Sequence, residues 1–82
     1  VWLAKVIVRL KPVVNDPPGT TIHGALQTLG FAGVRSVRSG KYFEVRLEAP
    51  DEAVARQQVD AMCRQLLANP VIEDYHFTVE PA

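Results

Sequence analysis

The sequence holds a single cysteine, Cys63, so no internal disulfide can staple the chain. It has no C-x-x-C pair, and its two histidines, His23 and His76, lie far apart, so no metal-ligating set is recognisable. Neither sign of charge is in excess, since nine Lys+Arg balance nine Asp+Glu. That removes the long-range pull toward nucleic acid or anionic lipid that a basic chain exerts. A long hydrophobic run is also missing. The opening "VWLAKVIVRL" is broken by Lys5 and Arg9, and is too short and too charged for a membrane span or secretory leader. No nucleic-acid or membrane partner is expected, and a cytoplasmic location is. The 82 residues make one domain, 1–82. At this size a single core barely offsets chain entropy. With disulfide and metal set aside, self-association is the expected source of further stability.

What is present is periodicity. In the first strand Trp2, Ala4, Val6, Val8 and Leu10 take one face, and Lys5, Ile7, Arg9 and Lys11 the other. "PVVNDPPGTT" is a loop stiffened by Pro17 and Pro18. A helix follows with Ile22, Ala25, Leu26 and Leu29 on one stripe, Thr20 or Thr21 as its cap and Gly30 as its stop. Gly24 inside it is unfavourable by about 1 kcal/mol relative to alanine, and marks either close packing against a sheet or an ordinary weak spot. "VRSVRSGKYFEVRLEA" reads as a hairpin turning at Ser39-Gly40. That register sets Arg35 against Glu44 and Val37 against Tyr42. The second helix opens at Pro50-Asp51 and closes at Asn69-Pro70. Ala55, Val59, Met62, Cys63, Leu66 and Leu67 form its buried stripe, and Glu52, Arg56, Asp60 and Arg64 its solvated side. A last strand turns Tyr75, Phe77 and Val79 inward, with His76, Thr78 and Glu80 outward. The order β-α-β-β-α-β gives an α+β, ferredoxin-like fold, with two helices on one face of a four-stranded antiparallel sheet.

Little chemistry sits on this frame. Cys63 lies in an apolar stripe and reads as an inert core thiol. Neither histidine has the acid and nucleophile spacing of a catalytic set. "GTTIHG" lacks the lysine and spacing of a phosphate-binding loop. Glu73 and Asp74 are adjacent on a strand, so they point to opposite faces and form no acid–base pair. The lysine-glycine-aromatic character of "GKYFEV" is shared with RNA-binding strands, but Phe43 points inward and only Tyr42 outward, beside Glu44 and Glu48. The open sheet face would carry Ile7, Val37 and Tyr42 among Lys5, Arg9, Arg35, Glu44 and Arg46. An apolar centre with a mixed charged rim is the composition of a protein contact.

Four stretches together resemble the PurS family: "KVIVRLK", "DPPGTTIHGAL", "VRSVRSGKYFEV" and "MCRQLLANPVIEDYHFTVE". They span nearly the whole chain, in the family's order. Two positions depart from the family pattern. Pro18 stands where a polar residue is common, and His23-Gly24 where a less helix-breaking pair is common.

The resemblance implies a non-catalytic adaptor subunit of phosphoribosylformylglycinamidine synthase, the ligase that uses ATP and glutamine to amidate formylglycinamide ribonucleotide in purine biosynthesis. A PurL-type synthetase subunit would handle ATP, Mg and the ribonucleotide, and a PurQ-type glutaminase would release ammonia. This chain would bind no cofactor, carry no catalytic residue, and join the two as a homodimer or tetramer. The subunit-contact residues the resemblance suggests are Asn15, Asp16, Pro17, Gly19, Arg38, Gly40, Lys41, Tyr42, Glu73, Asp74 and Tyr75. In that reading Gly40 allows the turn, Arg38 and Lys41 meet partner carboxylates, and Tyr42 and Tyr75 supply area. The alternative is an ACT-like amino-acid-sensing regulatory module, which shares the βαββαβ order. The sequence leaves open whether self-association uses the sheet face or an edge strand.

Overall fold

The computed structural model describes residues 1–82. Three strands form one antiparallel sheet: β1 (Trp2–Leu10) in the centre, β2 (Gly40–Leu47) on one side and β3 (Glu73–Pro81) on the other. Helix α1 (Pro17–Thr28) lies between β1 and β2, and helix α2 (Glu52–Met62) between β2 and β3.

The alternation in β1 orients the sheet as its sequence predicts. Ala4, Val6 and Val8 are wholly buried on the inner face. Val6 sits opposite Phe43 on β2 and Phe77 on β3, and Val8 opposite Tyr75. Ala55 and Val59 of α2 and Cys63 just after it close this core, with Val79 and Ala68 at its margin. Asp51 caps α2 by accepting from the Val54 N–H at 2.9 Å. The helix then widens into a π-turn over Cys63–Leu67, where the Ala68 N–H donates to the Cys63 carbonyl at 2.9 Å. This extra residue per turn rotates Leu66 out to 83% exposure, against the predicted buried stripe, and brings Ala68 in.

The expected fourth strand is absent. Residues 34–39 form no strand, and β2 begins only at Gly40. The pairs that favoured a hairpin are made with β1 instead. Tyr42 lies opposite Ile7, not Val37, and Glu44 opposite Lys5, not Arg35. The two ends of 34–39 are tied elsewhere in the chain. His23 Nε2 and Gln27 Nε2 donate to the Val34 carbonyl at 2.9 and 3.1 Å, and the Ser39 N–H donates to Asp16 Oδ2 at 2.8 Å. Hydrogen bonds at its two ends thus hold this segment against α1 and its cap rather than beside β2.

Nor do both helices cover the sheet. Only α2 packs on it, and α1 makes no extended contact with any other element. The molecule is consequently long, 51 × 27 × 14 Å with a radius of gyration of 16.1 Å, where a compact chain of this length has about 12 Å. Gly24 has open space around it rather than a sheet. The cap of α1 is Asp16, upstream of the expected threonines; it accepts from the Gly19 N–H at 3.1 Å, with Pro17 and Pro18 as the first two helical residues. The stop is Gly30, at φ 100°, as predicted. The Gly30 N–H donates to the Gln27 carbonyl and the Phe31 N–H to that of Leu26, both at 3.0 Å, which is a Schellman closure.

Candidate functional site

The antiparallel register brings the end of β1 beside the starts of β2 and β3. Arg9 has Gly40 as its partner on one side and Asp74 on the other, and Leu10 faces Glu73. Three open clefts of about 210, 220 and 350 Å³ meet there, and Arg9 lines all of them. The largest is bounded by Ile7, Arg9, Arg38, Ser39, Gly40, Lys41 and Tyr42, with no carboxylate among them. Residues far apart in the sequence thus share one surface: Arg38, Gly40, Lys41, Glu73 and Asp74. Lys41 Nζ lies 3.7 Å from Glu73 Oε2, and Glu73 Oε1 accepts from the Asn69 N–H at 2.7 Å.

The loop Asn15–Gly19 joins this surface through Asp16. Its carboxylate is 6% exposed and fully partnered. It accepts from the Ser39 N–H at 2.8 Å, the Ser39 hydroxyl at 3.0 Å and the Gly19 N–H at 3.1 Å, with Arg38 Nε at 3.8 Å. The two Ser39 and Gly19 backbone donors hold its carboxyl below the usual carboxylate range, outweighing desolvation. Arg38 is already engaged within the chain, donating to the carbonyls of Leu10, Lys11 and Pro12. Together Asp16, Arg38 and Ser39 clasp both ends of the excursion that carries α1. Gly19 fits beneath this clasp, where a Cβ would collide with the Val37 carbonyl and approach Asp16 Oδ2 to 2.8 Å.

Several predicted roles change with these positions. Gly40 makes no turn; it starts β2, and it must be glycine because a Cβ would stand 2.6 Å from the Val8 carbonyl oxygen. Tyr42 lies on the outer face, 54% exposed, with its hydroxyl 3.1 Å from Glu44. Tyr75 is not with the others. It faces inward and donates to Asp60 at 2.7 Å. The outer sheet face carries Ile7 and Tyr42, with His76 rather than Val37 beside Ile7. Arg9 was missed as a site residue, although its outward position in the β1 alternation and its place at the strand end were both legible.

The chemistry of the remaining groups is that of structure. Burial pushes the Cys63 thiol up, away from the thiolate a nucleophile needs, and Asp60 adds to the shift. No three His, Cys, Asp or Glu side chains converge as metal ligands. No helix is long and apolar enough to cross a membrane.

Residues 3–81 match the PurS family, described as phosphoribosylformylglycinamidine (FGAM) synthase. The chain belongs to the PurS family. A PurS subunit of this synthase from Synechocystis is 57% identical over 75 residues, covering 92% of this chain and 75% of that protein. The crystal structure of Methanocaldococcus jannaschii PurS, a subunit of formylglycinamide ribonucleotide amidotransferase in purine biosynthesis, matches with a TM-score of 0.91 at 41% identity, over 100% of this chain and 99% of that one. A chain from the structure of PurLQS from Thermotoga maritima matches with a TM-score of 0.86 at 31% identity, over 98% and 99%. This PurS-family chain is therefore a subunit of a ligase complex, and the ACT-like sensor reading is set aside. The match to the M. jannaschii structure takes in the whole chain, the projecting α1 included.

Proposed function

We propose that this chain is the adaptor that joins a PurL-type synthetase to a PurQ-type glutaminase, acting as a homodimer or higher assembly in the cytoplasm. The observation that carries this reading is the likeness, over nearly the full length of both chains, to a chain of the T. maritima PurLQS structure. ATP and Mg belong in this reading to the synthetase. The contribution to the reaction is positional. Ammonia released at one site must reach the other before it escapes and is protonated, and a fixed geometry between sites raises its effective concentration.

The sheet end around Arg9 is the surface we assign to the larger subunits. Lys41 and Tyr42 are exposed there, Arg9 has no carboxylate within salt-bridge distance, and the loop Asn15–Gly19 borders it. Asp74 is exposed on the same end, while Glu73 orders the preceding turn. Tyr75 contributes through the core rather than by contact. Lys41→Glu places a second carboxylate beside Glu73 and reverses the local charge. It is expected to weaken complex formation roughly tenfold, chiefly by slowing association. Light scattering of this chain mixed with its synthetase and glutaminase, with Mg-ADP and glutamine present, reads the ternary mass directly. Unchanged assembly in the Lys41→Glu variant removes that residue from the contact surface; a synthetase and glutaminase that associate fully without this chain remove the adaptor role.

A further inference from the structure

Two turns at one end of the sheet share an unusual composition. After β1, Lys11-Pro12-Val13-Val14 closes with the Val14 N–H donating to the Lys11 carbonyl at 2.9 Å. Before β3, Asn69-Pro70-Val71-Ile72 closes in the same way, the Ile72 N–H donating to the Asn69 carbonyl at 3.1 Å. The Lys11 N–H donates to the Ile72 carbonyl at 2.8 Å, so the turns lie side by side. Proline suits the second position of a turn, while glycine and short polar residues prevail at the third. Here the third residue is valine in both, and both valines face solvent: Val13 is 93% exposed and Val71 80%. Neither packs on the core, so folding does not explain the choice. No charged residue interrupts Pro12–Asn15 or Ala68–Ile72.

We infer that this twin-turn tip is the apolar anchor by which the chain seats on a larger subunit, whose surface supplies an apolar recess edged by carboxylates. The inference rests on the adaptor reading given above and deepens it, naming the side chains that enter the partner and the chemistry that receives them. Shape argues for a different chain rather than a second copy. A two-fold contact requires a self-complementary patch, and turn tips are convex. The cleft that reaches Pro12 offers no apolar recess for them, being lined by Arg9, Arg38 and Asp74 beside Leu10. Charge sets the rim of the recess, since Arg9 has no carboxylate within salt-bridge distance. An apolar centre with a polar rim is the composition of a protein interface. Both turns are also held rigid. Asn69 Oδ1 accepts from the Val71 N–H at 3.1 Å, and Glu73 Oε1 from the Asn69 N–H at 2.7 Å. Arg38 donates to the Lys11 and Pro12 carbonyls at 3.0 and 3.4 Å. A preformed tip loses little freedom on docking.

The test is sedimentation velocity of the full chain titrated against its synthetase and glutaminase, with Mg-ADP and glutamine present. The wild type is compared with Val13→Asp/Val71→Asp and with Val1→Asp. Val1 is also an exposed valine, but it lies at the opposite end of the sheet, beside Ala82. An aspartate driven into an apolar recess is buried without a partner, so the double variant should bind the larger subunits about 100-fold more weakly. Val1→Asp should bind as the wild type does, and all three chains should keep the same mass when run alone. A double variant that joins the complex at wild-type strength overturns the anchor and leaves the adaptor reading standing. So does an equal loss caused by Val1→Asp. A double variant whose own assembly dissociates makes the tip a contact between copies, which also overturns the inference. A wild-type chain that never joins the larger subunits overturns both readings. Should the aspartates unfold the chain, Val13→Thr/Val71→Thr keeps the shape of each side chain and adds a hydroxyl. Binding should then fall about tenfold, and undiminished binding by this variant contradicts the anchor.

Discussion

Replacing Asp16 by alanine is expected to lower the melting midpoint by roughly 5–15 °C, a large effect for one polar side chain near the surface of so small a domain. Three donors lose their acceptor together: the Gly19 N–H, the Ser39 N–H and the Ser39 hydroxyl. The Arg38 guanidinium loses its counter-charge. The same change frees the excursion that carries α1 at its base. The pH dependence follows from the sign of the shift. Asp16 has a carboxyl pKa lowered in the folded state, so its contribution is complete above the unfolded carboxylate value of about 3.9 and is lost as pH falls through the lower folded value. Thermal melts of the wild type should accordingly lose this increment only at acid pH. Asp16→Asn should be less stable near neutrality and show a shallower fall below pH ~4. Equal acid slopes for wild type and Asp16→Asn would show that the clasp carries no such linkage.

Gly40→Ala is expected to cost about 2–3 kcal/mol, although the new group is a single methyl. Its Cβ would meet the Val8 carbonyl oxygen at 2.6 Å and Arg9 Cβ at 3.2 Å. Both obstacles sit on the central strand, and one is backbone, so relief requires β2 to move away from β1. The last pair of that ladder, Arg9 with Gly40, would open, and Lys41 would shift with it. Denaturant melts measure the stability loss, and binding to the larger subunits measures the displacement of the surface. Gly24→Ala makes the matched comparison, since nothing lies within 4 Å of that position and the better helix former should be neutral or stabilising. A Gly40→Ala protein as stable as wild type would mean that the close approach of β2 to Val8 is not a constraint on the fold.

Much of the architecture was legible because its signals are local. The period of two in β1 and β3 set the inner face, and Asp51 and Asn69-Pro70 bracketed the second helix. The fourth strand failed for a reason visible in hindsight. "VRSVRS" repeats every three residues, so Val34 and Val37 cannot share a strand face. The charge and apolar pairing that seemed to fix a hairpin was sound in kind, but Lys5 and Ile7 of β1 stand opposite Glu44 and Tyr42 instead. Pairing rules do not say which of two suitable strands wins. The position of α1 was not legible at all. Its stripe is apolar whether it covers a sheet of its own chain or a neighbouring copy, and periodicity is blind to that distinction.

The site shows the same division. Lys41, Glu73 and Asp74 were legible as candidates, and the register of β1 with β2 and β3 gathers them around Arg9. The inward turn of Tyr75 followed from alternation alone. The clasp of Asp16 with Arg38 and Ser39 did not, because it joins residues more than twenty positions apart through side chains in a loop. Its one sequence trace is Asp-Pro-Pro at the start of α1, an N-cap followed by prolines at the first helical positions.

The central claim is that this chain supplies geometry rather than chemistry. Product formation by the reconstituted synthetase and glutaminase, measured with either glutamine or free ammonia as nitrogen donor and with or without this chain, tests it most directly. The account predicts that omitting the chain abolishes the glutamine-dependent rate and leaves the ammonia-dependent rate of the synthetase intact, because external ammonia bypasses the need for two aligned sites. A glutamine-dependent rate that survives the omission, or an ammonia-dependent rate that is lost with it, would contradict the account.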